Sequence, residues 1–327
     1  MAGAAVGAGC DFFACDSRLL DGGCFQAVAQ AVSEAGGRIC RSAGSAEAGS
    51  EGLRAAEAGA VAMVGSGGPT LGGSAEAVGC AQIGEIPLVM VHCQWLGPPL
   101  VASPMAVEGD VILAGHLGVG SLPLPVLAVS DLASVDRLTR ESFRLARALR
   151  TPVILLTSLR LIGEAGAREV QSPPPAGDTA VGTKAADPLD TAAVGARCAD
   201  LIRKMARGAN TLEFVAADID PDAHTLVLCY GAAAAAAVEA VRRVRDRGSR
   251  VSCLTIHGLW PVPERAIRRA ITHQVQRVLI PELNIGLYAD ELRKVLRAVK
   301  IEPLARFDGE PIPPEALEDR LLNWPCG

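Results

Sequence analysis

Short apolar runs alternate with longer amphipathic stretches along the chain, most clearly in its second half. Thr225-Leu-Val-Leu-Cys-Tyr-Gly231 is a run of aliphatic residues that ends at a glycine. An alanine-rich stretch over 232–247 follows it, with Gly248 in the place of a C-terminal capping glycine. Apolar runs at 251–256 and 277–282 repeat the pattern. Strand, glycine turn and helix in repetition predict a doubly wound unit with a mainly parallel sheet.

The first half shows the same alternation. Apolar runs of four to eight residues favour strands that are covered on both faces. Strands are predicted at 10–15, 60–64, 86–93, 125–129 and 151–157, and helices at 22–35, 71–83 and 131–150. The fold class is therefore α/β, with two doubly wound domains whose sheets are mainly parallel.

The composition changes between these two halves. Residues 162–189 contain Ser172-Pro-Pro-Pro175, several glycines and few large apolar side chains, which is typical of a linker. A helix is predicted near 192–207. We therefore predict a first domain over 1–160, a linker and connecting helix over 161–210, and a second domain over 211–327.

Charge and hydropathy exclude several classes of protein. The net charge of -5 argues against a general binder of nucleic acid or of membrane surfaces. The first ten residues lack the basic start and apolar core of a signal peptide, and no run of about 18 apolar residues predicts a membrane span. These features predict a cytoplasmic protein without a membrane segment.

The ten cysteines do not follow a metal-binding pattern. None is spaced as Cys-x-x-Cys, and none lies near a histidine at zinc-finger spacing. The denser set at positions 10, 15, 24 and 40 leaves a metal or cluster site open, but its spacing matches no ferredoxin pattern. Buried thiols are the favoured interpretation.

Histidines and a glycine turn are the remaining candidates for chemistry. His92 and His257 each end a predicted strand, where α/β sites form, and a hydrogen-bonded structural role is favoured for both. Gly65-Ser-Gly-Gly-Pro-Thr70 also follows a strand and precedes a helix, but it lacks the lysine of a phosphate-binding P-loop.

Two elements of the second half resemble a known family. Leu259-Trp-Pro-Val-Pro-Glu264 and Pro281-Glu-Leu-Asn-Ile-Gly286 look like the carboxyl-terminal domain of the alpha subunit of 2-oxoacid:ferredoxin oxidoreductases. That domain belongs to the transketolase C-terminal type. In the first half, Ala8–Ala14, Gly84–Val91 and Arg150–Leu156 resemble the strands of the family's thiamine diphosphate pyrimidine-binding domain. The resemblance thus extends over most of the chain.

The resemblance implies an activity, cofactors and partners. In this family a separate beta subunit supplies the diphosphate and magnesium site and a [4Fe–4S] cluster. The pair oxidatively decarboxylates a 2-oxoacid, such as pyruvate or 2-oxoglutarate, to an acyl-CoA and reduces ferredoxin. A chain of this kind would bind a beta-type subunit, share thiamine diphosphate with it and self-associate, with Mg and the cluster on the partner.

The sequence departs from the family where the substrate is bound. Leu19 stands in the place of the threonine in the family's Tyr-Pro-Ile-Thr-Pro motif. Trp95 replaces the arginine of the Arg-Gly-Gly-Pro-Ser-Thr-Gly motif, in which only Gly97 and Pro98 persist. A buried carboxylate needs charge-assisted hydrogen bonds, so the resemblance implies a more apolar pocket lined by Trp95, Gly97 and Pro98.

The cofactor's activating carboxylate is also displaced. The family has a glutamate against N1′ of the pyrimidine, and an ungapped count places Ser45 there. Glu47, two residues away, is the candidate for the catalytic role, with Glu51 second as a cofactor-binding residue; two solvated carboxylates are the other interpretation. In the family a turn similar to the one around Gly68 and Pro69 faces the cofactor.

Two functions therefore stay open. The first is an alpha-type subunit of a working thiamine-dependent 2-oxoacid:ferredoxin oxidoreductase. The second is a catalytically silent paralogue that keeps the fold and the subunit interface and acts as a scaffold or regulatory subunit. The fold supports both equally, because fold does not fix function.

Overall fold

The computed structural model describes residues 1–23, 25–94, 108–118, 122–158, 161, 191–208 and 212–323. Its strands, numbered in chain order, are β1 Phe12–Asp16, β2 Arg38–Ser42, β3 Ala62–Gly67, β4 Leu88–Gln94, β5 Val126–Ala128, β6 Pro152–Ser158, β7 Val215–Asp218, β8 Thr225–Tyr230, β9 Val251–Ile256, β10 Gly258–Trp260, β11 Arg277–Glu282 and β12 Lys300–Ala305. Its α-helices are α1 Ala2–Gly7, α2 Ser17–Asp21, α3 Gln26–Glu34, α4 Ser45–Glu57, α5 Ala75–Gly84, α6 Val111–Gly115, α7 Leu132–Leu149, α8 Thr191–Gly208, α9 Ala234–Asp246, α10 Glu264–Ala270, α11 Leu287–Arg293 and α12 Pro314–Leu322.

The described strands form two sheets. The first has the order β10-β5-β6-β4-β3-β1-β2 and the second the order β12-β11-β8-β9-β7. All pairings are parallel except β10 with β5 and β7 with β9. The predicted α/β class with two mainly parallel sheets is confirmed.

Capping residues explain where the best-defined helix begins and ends. Asp131 accepts a hydrogen bond from the backbone N–H of Ser134 at 2.7 Å, and the Ser134 hydroxyl accepts one from the N–H of Asp131 at 3.0 Å. This reciprocal capping box starts α7. The helix ends at Leu149, and the next residue, Arg150, adopts a left-handed conformation with φ 48°.

The two halves of the chain are joined in two ways. Strand β10 comes from the second half and pairs with β5 at the edge of the first sheet. A single apolar cluster also runs from Val64 and Met90 of the first sheet to Leu228 and Ile280 of the second. The division at 160 and 210 stays a prediction, but the two halves share a core.

Among the described helices, none is long and apolar enough to cross a lipid bilayer.

Candidate functional site

The turn after β3 lies at the carboxyl edge of the first sheet. Gly68 has a positive φ of 57°, which favours glycine, and it begins a 3-10 helix over Gly68–Ser74. Gly68 is buried and Pro69 is exposed. The Thr70 hydroxyl donates to the carbonyl of Gly67 at 2.8 Å and fixes the turn.

A buried polar cluster adjoins this turn. The Ser66 hydroxyl lies 2.9 Å from Nδ1 of His92, on the neighbouring strand, and Nε2 of His92 lies 2.5 Å from Oδ2 of Asp110. Gln94 donates its amide N–H to the other oxygen of Asp110. Ser66 and His92 have no exposed surface. The four side chains, which we call the His92 cluster, form a continuous hydrogen-bonded line, in which His92 and Asp110 are the groups that can exchange a proton.

The His92 cluster contains a carboxylate that no pattern in the sequence indicated. His92 is hydrogen-bonded, as expected, and one of its partners is Asp110. Asp110 is 18 residues further along the chain and directly precedes α6, which packs against the 3-10 helix that follows β3. That contact is long-range, so no local pattern could reveal it.

A second polar group fills the crevice between β8 and β11. The strand order reverses here: after β8 the chain adds β9 on one side of it and later β11 on the other. Such switch points are where parallel α/β sheets bind ligands. Here the Tyr230 hydroxyl donates to Glu282 at 2.8 Å, and the amide of Asn284 donates to the Tyr230 oxygen at 2.9 Å.

Glu108 from the first half of the chain enters the same crevice. Its Oε1 accepts the backbone N–H of Ala232 at 2.7 Å, and its own N–H donates to the carbonyl of Leu283 at 2.9 Å. Its Oε2 is buried and has no hydrogen-bond partner among the described residues. Burial, with a smaller contribution from the charges of Glu282 and Asp110, raises the pKa of Glu108 to about 8.

His257 lies where the two halves meet. Its Nδ1 is 3.4 Å from the carbonyl of Ala128, the last residue of β5. The same nitrogen is 3.5 Å from the hydroxyl of Ser130, which lies two residues after that strand. Burial, followed by the nearby charge of Arg137, lowers the pKa of His257 below its usual value. A neutral, hydrogen-bonded histidine at the seam agrees with the structural role favoured from the sequence.

The predicted carboxylates lie on the first turns of α4. Glu47 is exposed and its Oε2 accepts the backbone N–H of Ala43 at 2.7 Å, which closes the start of the helix. Glu51 pairs with Arg54. Ser45 is the buried residue of this turn; its carbonyl accepts the Ser74 hydroxyl at 3.1 Å, next to the 3-10 turn.

The structure brings together only part of the predicted site. Gly68 and Pro69 are at the carboxyl edge, whereas Trp95, Gly97 and Pro98 lie outside the described residues. The polar residues to which the sequence analysis gave no individual role are Ser66, Gln94, Glu108, Asp110, Glu282 and Asn284. Gln94 and Glu282 end a strand, and Ser66 and Asn284 lie within two residues of a strand end. That position at a parallel sheet edge is the signal that could have found these four residues.

The cysteines and possible metal ligands are the remaining candidates for chemistry. Burial raises the pKa of the Cys10 thiol to about 12, so it is protonated and unreactive at neutral pH. Cys93, Cys229 and Cys253 are buried in strands, as predicted. Within the described ranges, no group of three or more His, Cys, Asp or Glu side chains is arranged to hold a metal ion.

Known proteins resemble this chain over its whole length. The family described as pyruvate:ferredoxin oxidoreductase core domain II matches residues 223–317. The 2-oxoglutarate synthase subunit KorA of Archaeoglobus fulgidus is 26% identical over 329 residues, which cover 96% of this chain and 93% of the relative. KorA of Methanocaldococcus jannaschii is 24% identical and covers 98% of this chain and 96% of its own length.

Solved structures share the fold. The 2-oxoglutarate:ferredoxin oxidoreductase from Magnetococcus marinus, solved with 2-oxoglutarate, coenzyme A and succinyl-CoA bound, superposes with a TM-score of 0.81 at 21% identity. That match covers 99% of this chain but only 64% of the solved chain. A transketolase from Campylobacter jejuni matches 96% of this chain, and 44% of its own, with a TM-score of 0.59. Over almost its whole length the chain is similar to KorA subunits of 2-oxoglutarate synthases, which supports its resemblance to the alpha subunits of 2-oxoacid:ferredoxin oxidoreductases.

Proposed function

We propose that the chain is the alpha-type subunit of a working 2-oxoacid:ferredoxin oxidoreductase, which oxidatively decarboxylates a 2-oxoacid to an acyl-CoA together with a beta-type subunit. The relatives that match its whole length are named for 2-oxoglutarate, which is therefore the first substrate to test. Ferredoxin and CoA would be the other reactants.

The observation that supports a working site is the His92 cluster. Removing a histidine and a carboxylate from water costs free energy, and a buried polar network is tolerated only where its members satisfy one another. A subunit that served only as a scaffold would be as stable with apolar residues there. The cluster lies beside the Gly68 turn, at the sheet edge where parallel α/β proteins bind ligands.

The described residues do not complete a site for thiamine diphosphate. The buried position at the start of α4 carries a serine, which has no carboxylate for the pyrimidine, and Glu47 is turned toward Ala43. We therefore derive no catalytic step through this cofactor. If the cofactor is shared with the beta-type subunit, as the family implies, Glu47 must leave Ala43 to reach it, and Mg and the [4Fe–4S] cluster belong to the partner.

The positions of Ser45 and Glu47 favour a second candidate function. A catalytically silent subunit needs no activating carboxylate, so it can carry a serine at the buried position and use Glu47 as a helix cap. Such a chain would keep the subunit interface and act as a scaffold or regulator of a related complex.

Reconstitution with the beta-type subunit encoded nearest to this chain's gene tests both functions. The complex is isolated, and ferredoxin reduction is followed with CoA, thiamine diphosphate and either 2-oxoglutarate or pyruvate. Turnover that needs all components supports the first function. A stable complex without turnover of any 2-oxoacid supports the second function. If the chain does not bind the beta-type subunit, both functions are contradicted.

Glu47→Gln identifies the activator in a complex that turns over. The loss of a positioned acid–base group slows the reaction by about 10²–10⁴-fold, and the amide oxygen still accepts the N–H of Ala43. Glu57→Gln is the matched control, because Glu57 is an exposed glutamate at the far end of the same helix. Turnover that is indifferent to Glu47→Gln would assign the activator to another residue.

A further inference from the structure

Two carboxyl groups in one short segment reach opposite sheets. Glu108 contacts the turn after β8 in the second sheet, and Asp110 contacts His92 and Gln94 at the end of β4 in the first. Only one residue separates them. Because their partners belong to different halves of the chain, the segment from 108 to 118 ties the carboxyl ends of both sheets together.

Glu108 occupies the place where a ligand would be expected in the second sheet. The crevice between β8 and β11 is a switch point, and Glu108 fills it with a side chain that is 2% exposed. Gly231 makes the fit possible, because a Cβ there would lie 1.8 Å from Oε1 of Glu108. Asn284 adds a hydrogen bond from its amide to the Glu108 carbonyl at 3.4 Å.

Helix α6 and Trp260 are attached to the same segment. The Trp260 indole N–H donates to the carbonyl of Val111 at 3.1 Å, and its ring meets that of His116 edge-on at 5.0 Å. Helix α6 also packs against α11 of the second half. Any movement of the segment must therefore change the surroundings of Trp260.

We propose that residues 108–118 form a two-carboxyl clamp, in which Glu108 holds the second sheet and Asp110 holds the His92 cluster, so that Glu108 is a positioning residue for the candidate site. Among the described hydrogen bonds, none joins Glu108 to a member of the His92 cluster. Glu108 acts through Asp110. The Asp110 carboxylate orients His92 only while residues 108–118 stay bound to the second sheet.

The protonation of Glu108 controls the clamp. The titratable groups that face it are Tyr230 and Cys229 on β8, Glu282 on β11 and Asp110 on its own segment. Burial, with Glu282 and Asp110 adding like charge, raises the pKa of Glu108 to about 8. Because the pKa of Glu108 is raised in the folded state, the crevice binds the neutral carboxyl group better than the carboxylate. The clamp therefore weakens as the pH rises through about 8.

Trp260 fluorescence in the full chain tests the clamp independently of any turnover. In a Trp95→Phe, Trp324→Phe background Trp260 is the one tryptophan left. From pH 6 to pH 10 its emission is expected to shift to the red with a midpoint near pH 8, and the far-ultraviolet circular dichroism is expected to stay unchanged. Glu108→Gln keeps an oxygen for the N–H of Ala232 but cannot ionise, and is expected to abolish the shift.

The side-chain NMR signals of His92 test whether the clamp positions the cluster. They are expected to change with the same midpoint in the wild-type chain and to stay constant in Glu108→Gln. Asp110→Asn is the matched variant, which should uncouple His92 while the Trp260 shift remains. A flat Trp260 signal, an unchanged shift in Glu108→Gln, or loss of circular dichroism at the same midpoint would each overturn the proposal.

Discussion

Glu282 is the buried carboxylate whose replacement should cost the most stability. It has no exposed surface, and it accepts three hydrogen bonds: from the Tyr230 hydroxyl at 2.8 Å, the N–H of Tyr288 at 3.0 Å and the N–H of Ala289 at 2.7 Å. Two of these donors are backbone groups in the first turn of α11, where a negative charge is favoured. The carboxylate therefore joins β8, β11 and α11.

Glu282→Gln changes only one oxygen to an amide nitrogen, yet it cannot be accommodated. Oε1 faces the N–H of Ala289 and Oε2 faces that of Tyr288, so in either orientation the new NH2 group meets a backbone donor. The variant loses a hydrogen bond to a charged acceptor, about 1.5–3 kcal/mol, and leaves buried donors unsatisfied, about 1–3 kcal/mol more. We expect a loss of about 3–5 kcal/mol in the free energy of unfolding, on the same basis.

Urea unfolding followed by circular dichroism measures this loss. With an m-value of about 2–3 kcal/mol/M, the midpoint should fall by about 1–2 M urea. Glu291→Gln is the control, because Glu291 is a partly exposed carboxylate on α11 whose pair with Lys294 is worth at most about 1 kcal/mol. Equal and small effects of the two substitutions would refute the assignment of Glu282 as the residue that joins these elements.

Two further predictions concern the seam between the halves. Gly231→Ala should lower the free energy of unfolding by about 2 kcal/mol or more and release Glu108, because φ is 54° and the new Cβ would meet the carboxyl group. Gly248→Ala is the control in the same urea unfolding experiment. Its φ is 88° and nothing lies within 4 Å of the new Cβ, so it should show only a backbone strain of about 1–2 kcal/mol. Burial, then the charge of Arg137, lowers the pKa of His257, so the wild-type chain should lose stability as the pH falls through the unfolded-state value of about 6.5, and His257→Gln should flatten that profile. Identical profiles of the free energy of unfolding between pH 5 and pH 8 would contradict the second prediction.

The sequence predicts the central strands well and the edge strands poorly. The strands β1, β3, β4, β6, β8 and β9 are buried along their whole length, and all were predicted from continuous apolar runs. The strands β2, β7 and β12 are largely solvent-accessible and carry charged residues such as Arg41 and Lys300, so they show no such run. A strand that is paired on one side only needs fewer apolar residues.

Two helices differ from the sequence prediction, one in where it begins and one in that it was not predicted, and each has a local cause. The helix predicted from residue 71 begins as a 3-10 helix at Gly68, where the positive φ turns the chain sharply after β3. Helix α4, which carries Glu47 and Glu51, was not among the predicted elements. Its sequence contains Gly49 and Gly52, which disfavour helix. Both are needed for close packing, since a Cβ at Gly52 would lie 2.2 Å from Val64.

The candidate site was harder to predict than the fold, because its residues come from distant parts of the chain. Glu108 and Asp110 look like two loop carboxylates in Glu108-Gly-Asp110, and nothing local shows that one will be buried in the second sheet. Only the Pro281-Glu-Leu-Asn-Ile-Gly286 element, which carried the family resemblance, pointed to Glu282 and Asn284. It did so without a physical reason, which the hydrogen bonds of the crevice now supply.

The distribution of changes within the site bears on whether the chain is active. Leu19, Ser45 and Trp95 stand at positions to which the resemblance assigns substrate or cofactor contacts, whereas Ser66, His92, Gln94 and Asp110 are joined by hydrogen bonds. Selection for folding alone does not require a buried His92 paired to Asp110, because apolar replacements of buried ion pairs are often neutral or stabilising. The His92 cluster therefore supports the proposal of a working site over that of a silent scaffold.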